Sequence, residues 1–182
     1  RYRHGLGVPM VIRGPSGGGV SGGPFHSQNV ESYFLNTPGL RIVAPATAQD
    51  AHGLMLAAIR DEDPVLFLEH KFLYRRIKEE IVEGQVTPIG QAIVRRPGDD
   101  LTLVSYGAKL FDCLEAADVL AEEGKSCEVI DLRSLAPLDM DTIFTSVKKT
   151  NRIVLVHEAC LTGGPGGELA ARISEDCFDW LD

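Results

Sequence analysis

The sequence predicts an α/β protein with mainly parallel sheets between helices, and three observations carry that prediction. Short, apolar, β-rich runs recur along the 182 residues at Val8–Arg13, Arg41–Ala46, Pro64–Glu69, Leu101–Tyr106, Cys127–Leu132 and Arg152–His157. Helical patterns fill the gaps at Asn29–Asn36, Ala48–Asp61, Ala108–Glu123, Asp139–Thr150 and Gly167–Leu181. The apolar runs are unbroken rather than alternating with polar residues, which suits strands covered on both faces.

In chain order, Val8–Arg13 is a strand that runs into a glycine-dense loop, and Asn29–Asn36 follows it as a helix. Ala58-Ile59-Arg60-Asp61-Glu62-Asp63-Pro64 is a helix end turning into the strand PVLFLE. The stretch from Arg75 to Asp100 then breaks the alternation. It is charged at its start and interrupted by Gly84, Pro88, Gly90, Pro97 and Gly98, so a domain boundary falls inside it. Beyond it, Leu110, Cys113, Leu114, Ala117 and Leu120 keep the i, i+3, i+4, i+7 rhythm of an amphipathic helix, closed by Glu122, Glu123 and Gly124. Three strands precede the boundary and at least three follow it.

Composition narrows the function. With 44% apolar residues the chain can bury a proper core, yet no apolar run approaches the roughly 20 residues of a membrane span. The formal charge of −8, from 18 basic and 26 acidic residues, argues against nucleic acid. The basic cluster Lys71, Arg75, Arg76 and Lys78 sits beside Glu79 and Glu80 and is expected to be a solvated connector. Cys113, Cys127, Cys160 and Cys177 are far apart and show neither zinc nor disulfide spacing, which suits a reducing compartment.

The segment VIRGPSGGGVSGGPFHSQ, from Val11 to Gln28, is richest in chemistry. Consecutive glycines let a ligand approach main chain, and the carboxyl end of a strand is where open α/β sheets hold ligands. A histidine there, His26, can move protons near neutrality, an ordinary imidazole titrating at about 6.5. The competing reading is that His26 closes the loop by bonding a backbone carbonyl. GGGVSGG lacks both the GK[ST] ending of a P-loop and the spacing of a dinucleotide motif. The second glycine cluster, Leu161 to Gly167, is expected to be a structural turn. His4, His52 and His70 are expected at the surface or in packing, and His157-Glu158 in a structural or interface role. Glu69 and Tyr74 are placed where a sheet edge would face a partner, with no chemistry assigned.

The blocks VPMVIRGPSGGG, PFHSQNVESYF, TPGLRIVAPATAQDAHGLMLAAIRDEDPVLFLEHKFLYR, CEVIDLRSLAPLD and RIVLVHEACLTGG, in that order, resemble the β subunit of the E1 component of 2-oxoacid dehydrogenase complexes. That family includes pyruvate, branched-chain 2-oxoacid and acetoin dehydrogenases, and the DEDPVLFLEHKFLYR block leans slightly toward the branched-chain and bacterial-type subfamily. The resemblance implies the later part of a thiamine-diphosphate-binding pyrimidine-type domain over residues 1–76, a linker over 77–83, and a transketolase C-terminal-like domain over 84–182. It further implies that the chain starts in mid-domain, that it ends inside the second domain, and that such a piece is inactive alone. The pyrimidine-activating glutamate is expected upstream of Arg1.

The implied reaction is decarboxylation of a 2-oxo acid on thiamine diphosphate with magnesium, a cofactor shared with the α subunit, followed by reductive acylation of lipoyl groups on an E2 core. The implied assembly is α2β2, with a β–β contact. By the same resemblance His26 is the active-site histidine, and Met10, Ala58, Ile59, Asp61 and Asp63 map onto a potassium site built largely from backbone carbonyls. Bacterial cytoplasm is the expected location, with an organelle matrix as the other. The alternative function is a non-catalytic assembly module derived from the same subunit.

Overall fold

A computed structural model describes residues 7–182, and His4 lies outside the described residues. The chain builds two four-stranded sheets. The first comprises β1 (Val11–Ser16), β2 (Arg41–Val43), β3 (Val65–His70) and β7 (Ser134–Ala136), in the order β1-β3-β2-β7. The second comprises β4 (Ile93–Arg96), β5 (Leu101–Ser105), β6 (Cys127–Asp131) and β8 (Ile153–Leu155), in the order β4-β6-β5-β8. Within the first sheet β1, β3 and β2 run parallel, as do β6, β5 and β8 within the second. Each sheet carries one antiparallel strand at an edge, β7 on β2 and β4 on β6.

The unbroken apolar runs belong to strands whose alternate residues enter different cores. In β3, Val65 and Phe67 pack with Leu54 and Ala58 of α2 (Ala48–Arg60), while Leu66 and Leu68 enter a central core shared by both sheets. In β5 and β6, Leu103 and Val129 meet Leu110, Cys113 and Ala117 of α3 (Lys109–Glu122), and Val104 and Ile130 enter the same central core. A fully buried aliphatic or aromatic side chain contributes on the order of 1.5–3 kcal/mol. A strand feeding two cores therefore gains on both faces.

α4 (Met140–Thr150) adds Ile143 and Val147 to the central core, and α5 (Pro165–Asp176) adds Leu169 and Ile173. Local capping marks two of these helices. The Thr47 hydroxyl accepts from Asp50 N–H at the start of α2, and the Asp139 carboxylate from Thr142 N–H at the start of α4.

The observed elements differ from the expected ones in definable ways. β4 and β7, four and three residues long, were not anticipated, and β7 brings a strand from the second half into the first half's sheet. The first strand begins at Val11 rather than Val8, and α1 is only Glu31–Phe34. The last helix stops at Asp176, followed by a 3-10 turn at Phe178–Trp180.

The connector after β3 opens with a 3-10 turn, Lys71–Arg75, where Arg76 lies 3.8 Å over the Phe72 ring. It then runs over α2, with Gln49 N–H donating to Glu79 Oε1 at 2.6 Å and Val82 N–H to Gln49 Oε1 at 2.6 Å. Gly53 permits that crossing, since a Cβ there would stand 2.8 Å from Thr87 N and closer still to its hydroxyl.

Candidate active site

The carboxyl ends of β1 and β3 in one sheet and of β5 and β8 in the other open toward a common region. β1 ends at Ser16 and hands over to the loop that reaches His26 in a three-residue 3-10 turn, Pro24–His26. Gly17 N–H donates to Gln28 O at 3.0 Å and closes this loop at its base. At its tip Ser27 Oγ donates to Gly23 O at 2.8 Å, and His26 Nδ1 lies 3.1 Å from Gly22 O. A carbonyl only accepts, so Nδ1 carries the proton and Nε2 presents a lone pair. The imidazole is exposed. His26 thus bonds a backbone carbonyl, the competing reading of this residue, and the same bond leaves Nε2 facing away from the loop's own acceptor.

Beneath the loop lies a pair that sequence reasoning had assigned to packing and interface. His70 closes β3 and Glu158 follows β8, and their side chains meet at 2.8 Å between Nε2 and Oε2. The other carboxylate oxygen of Glu158 accepts Gly18 N–H at 2.7 Å. His70 Nδ1 accepts Phe72 N–H at 3.3 Å, which leaves the ring proton on Nε2, directed at Glu158. Burial alone would raise the Glu158 carboxyl; hydrogen bonds from His70 and Gly18, with a smaller one from the Asn29 side chain, outweigh it and hold the group below the usual carboxylate range. No sequence signal links His70 to Glu158, because they are 88 positions apart and meet only once the two sheets pack.

Other groups brace the same region. The buried Tyr106 hydroxyl, just past β5, donates to Glu31 Oε1 at 2.6 Å and ties α1 to the second sheet. Burial first, and the Glu31 carboxylate second, push the Tyr106 phenol far above the ordinary tyrosine range. The second glycine cluster wraps His157. A Cβ on Gly166 would come within 2.4 Å of its Nε2. The expected turn covers only the first part of the cluster, since Pro165, Gly166 and Gly167 open α5.

Glu69 and Tyr74 form a cluster with Arg13 on the other side of β3. Tyr74 Oη donates to Glu69 Oε2 at 2.6 Å and Arg13 Nη2 to the same oxygen at 3.1 Å, beside a groove of about 390 Å³. Burial, then the hydrogen bond to Glu69, raise the Tyr74 phenol to about 12.

Of the residues mapped onto a potassium site, Ala58, Ile59, Asp61 and Asp63 lie at the end of α2 and just past it, and Met10 pairs with the start of β3. Met10 O accepts Val65 N–H at 2.8 Å, Glu62 O accepts Val8 N–H at 2.8 Å, and Ala58 O accepts Asp61 N–H at 3.3 Å. The segment before β1 thus lies along the turn that follows α2 and contains Asp61 and Asp63. Arg41 pairs with both acids, at 3.0 Å to Asp61 and 3.4 Å to Asp63, so the carboxylates already face a cation. What the turn offers a metal is carbonyl oxygen, a donor that suits a hard monovalent ion. Among the described residues no group of three or more His, Cys, Asp or Glu converges to hold a metal. No described helix is long and apolar enough to cross a membrane.

Comparison with known proteins gives this geometry a lineage. Residues 1–76 match the transketolase pyrimidine binding domain, and residues 90–182 match the transketolase C-terminal domain. The chain is 50% identical, over 175 residues, to the 2-oxoisovalerate dehydrogenase subunit beta of Bacillus subtilis (strain 168), covering 96% of this chain and 54% of that protein. It is 44% identical over 178 residues to the pyruvate dehydrogenase E1 component subunit beta of the same organism, covering 96% and 55% respectively.

A solved structure described as a split gene transketolase, inactive beta4 tetramer, superposes with a TM-score of 0.77 at 27% identity, over 96% of this chain and 57% of that one. The chain spans about half the length of the curated relatives it matches. With both domain models matched in sequence order, the chain belongs to the transketolase family, and its relatives there are the E1 β subunits of 2-oxoacid dehydrogenases.

Proposed function

We propose that the chain serves as part of the β subunit of a thiamine-diphosphate-dependent 2-oxoacid dehydrogenase. In this reading it works with an α subunit in an α2β2 assembly, with a β–β contact, and supports decarboxylation of a 2-oxo acid and reductive acylation of lipoyl groups on E2. The observation that carries the reading is the oriented, exposed His26 at the carboxyl end of β1, within a chain 50% identical to a 2-oxoisovalerate dehydrogenase β subunit. The two Bacillus subtilis relatives differ in similarity, 50% against 44%, which favours a branched-chain 2-oxo acid over pyruvate. The division into 1–76, a linker at 77–83 and 84–182 belongs to the same reading, as does a cytoplasmic or organelle-matrix location.

Bound thiamine diphosphate, with its magnesium, would supply the carbon centre on which the 2-oxo acid loses carbon dioxide. This chain's contribution is local. The glycine loop would leave main chain open to a ligand, and the imidazole of His26, protonated from solvent, would donate the proton that the departing lipoyl sulfur takes up as the disulfide opens. Met10, Ala58, Ile59, Asp61 and Asp63 are proposed to line a potassium ion that braces the turn between α2 and β3.

The test is turnover by the α–β complex, the protein co-expressed with its α-type subunit. Thiamine diphosphate and an artificial electron acceptor are supplied with 3-methyl-2-oxobutanoate, pyruvate or acetoin. Preferential turnover of 3-methyl-2-oxobutanoate is expected. Silence on all three from an intact complex would favour the second reading, an assembly module without chemistry, to which the structural relative described as inactive lends support.

A further inference from the structure

We infer that Glu158, from the second half of the chain, is a positioning residue that clasps the loop carrying His26 and so sets that imidazole against its substrate. The inference rests on the proposed role of His26 and extends it to a residue to which sequence reasoning gave only a structural or interface role.

Glu158 holds the loop at its entrance, where its Oε1 accepts the Gly18 amide at 2.7 Å. Its Oε2 meets His70 Nε2 at 2.8 Å, so the carboxylate is itself held by the end of β3. Both partners are largely withdrawn from solvent, with side-chain exposures of 11% for His70 and 27% for Glu158. The loop sequence is built to admit the pair. Gly17 takes a φ of +78°, and a Cβ there would stand 2.0 Å from His70 Nε2. A Cβ on Gly18 would stand 3.0 Å from Glu158 Oε1. A side chain at Gly17 would drive His70 out, and one at Gly18 would crowd the Glu158 carboxylate.

Beyond Gly18 the loop packs Gly19 against the Phe72 ring, and few other anchors hold it among the described residues. Gly17 N–H to Gln28 O closes its base, and the bonds from Ser27 and His26 to Gly23 and Gly22 are internal to its tip. Those internal bonds shape the tip without fixing its place on the molecule. The connection from the glycine entrance to the second sheet runs through Glu158, and releasing it lets the whole tip shift. Displacement of a catalytic group by about 1 Å can cost on the order of 100-fold in rate. A carboxylate acting through the loop should therefore lower the rate of proton transfer without altering capture of the 2-oxo acid.

The experiment uses the assembled α–β complex and four proteins: parent, E158A, H26A and the double variant. In E158A, kcat for reductive acylation of a lipoyl domain should fall about 10- to 100-fold with KM for the 2-oxo acid unchanged. The double variant should lose no more than H26A alone, because both changes disable one imidazole. Hydrogen exchange followed by mass spectrometry should show faster exchange over residues 17–29 in E158A and unchanged exchange in β5 and β6. E158Q, which keeps an oxygen for Gly18 N–H and fills the same space, should show the same changes to a smaller degree if E158A does not fold.

Losses that multiply in the double variant would overturn the inference, as would exchange over 17–29 that stays at the parent rate. If H26A itself has no effect, the assignment of His26 fails. The exchange measurement still decides whether Glu158 holds the loop.

Discussion

His26 and Glu158 illustrate how a single residue acquires its role from what it bonds. The hydrogen bond of His26 Nδ1 to Gly22 O fixes the ring's tautomer, leaving Nε2 for chemistry. Replacing His26 by Ala in the α–β complex should lower lipoyl acylation by roughly 10²–10⁴-fold while cofactor affinity holds, as measured by single-turnover acylation against thiamine diphosphate titration. Unchanged turnover would remove His26 from the mechanism. The tyrosines give a second prediction, in pH. Tyr74 is raised to about 12 and Tyr106 higher, whereas unfolded tyrosine ionises near about 10. The native state therefore keeps protons that the unfolded state releases, so this stabilisation is complete below about pH 10 and is lost as pH rises through the folded values. Urea midpoints measured between pH 9 and pH 11 should fall with pH, and Y106F should flatten the decline.

At the scale of elements, the turn between α2 and β3 joins three pieces of chain: the segment before β1, the end of the helix, and Arg41 at the head of β2. A potassium ion held by its carbonyls would bind only the native arrangement and stabilise it by mass action. The melting temperature should be higher in potassium chloride than in sodium chloride at equal ionic strength. Coincident curves would remove the ion from the brace. The long helices and the buried strands were legible in the sequence because each follows one period over many residues, as α3 does with Leu110, Cys113 and Ala117. β4 and β7 were not, since three or four residues carry no usable period and each is defined by the strand it pairs with.

For the molecule as a whole, the two halves are joined by buried charge as well as by the central core. Arg133 donates to Asp50 Oδ1 at 3.0 Å and to the carbonyls of Gln91 and Ala92 at 3.0 and 3.3 Å. Arg95 bridges Asp50 and Asp131, the latter at 2.9 Å. Burial raises the Asp131 carboxyl despite both arginines, a mark of how little water reaches the cluster. Removing Arg133 leaves Asp50 paired with Arg95 and takes away a charged hydrogen bond and two bonds to backbone carbonyls, so Arg133→Ala should cost about 1.5–3 kcal/mol in a urea titration. It should do so in one cooperative transition, because β7 makes the first sheet depend on the second half of the chain. A loss under 1 kcal/mol, or two separate transitions, would show that the halves are not coupled through it. The sequence by itself determined the α/β class, the strand–helix alternation and the candidacy of His26, because periodicity, glycine loops and motif order are local properties. Only the tertiary structure decided that β7 crosses to the first sheet, that Asp50 meets Arg133, and that Glu158 reaches the loop of His26. Those contacts join residues 83 to 140 positions apart, and their partners are selected by sheet packing rather than by spacing along the chain.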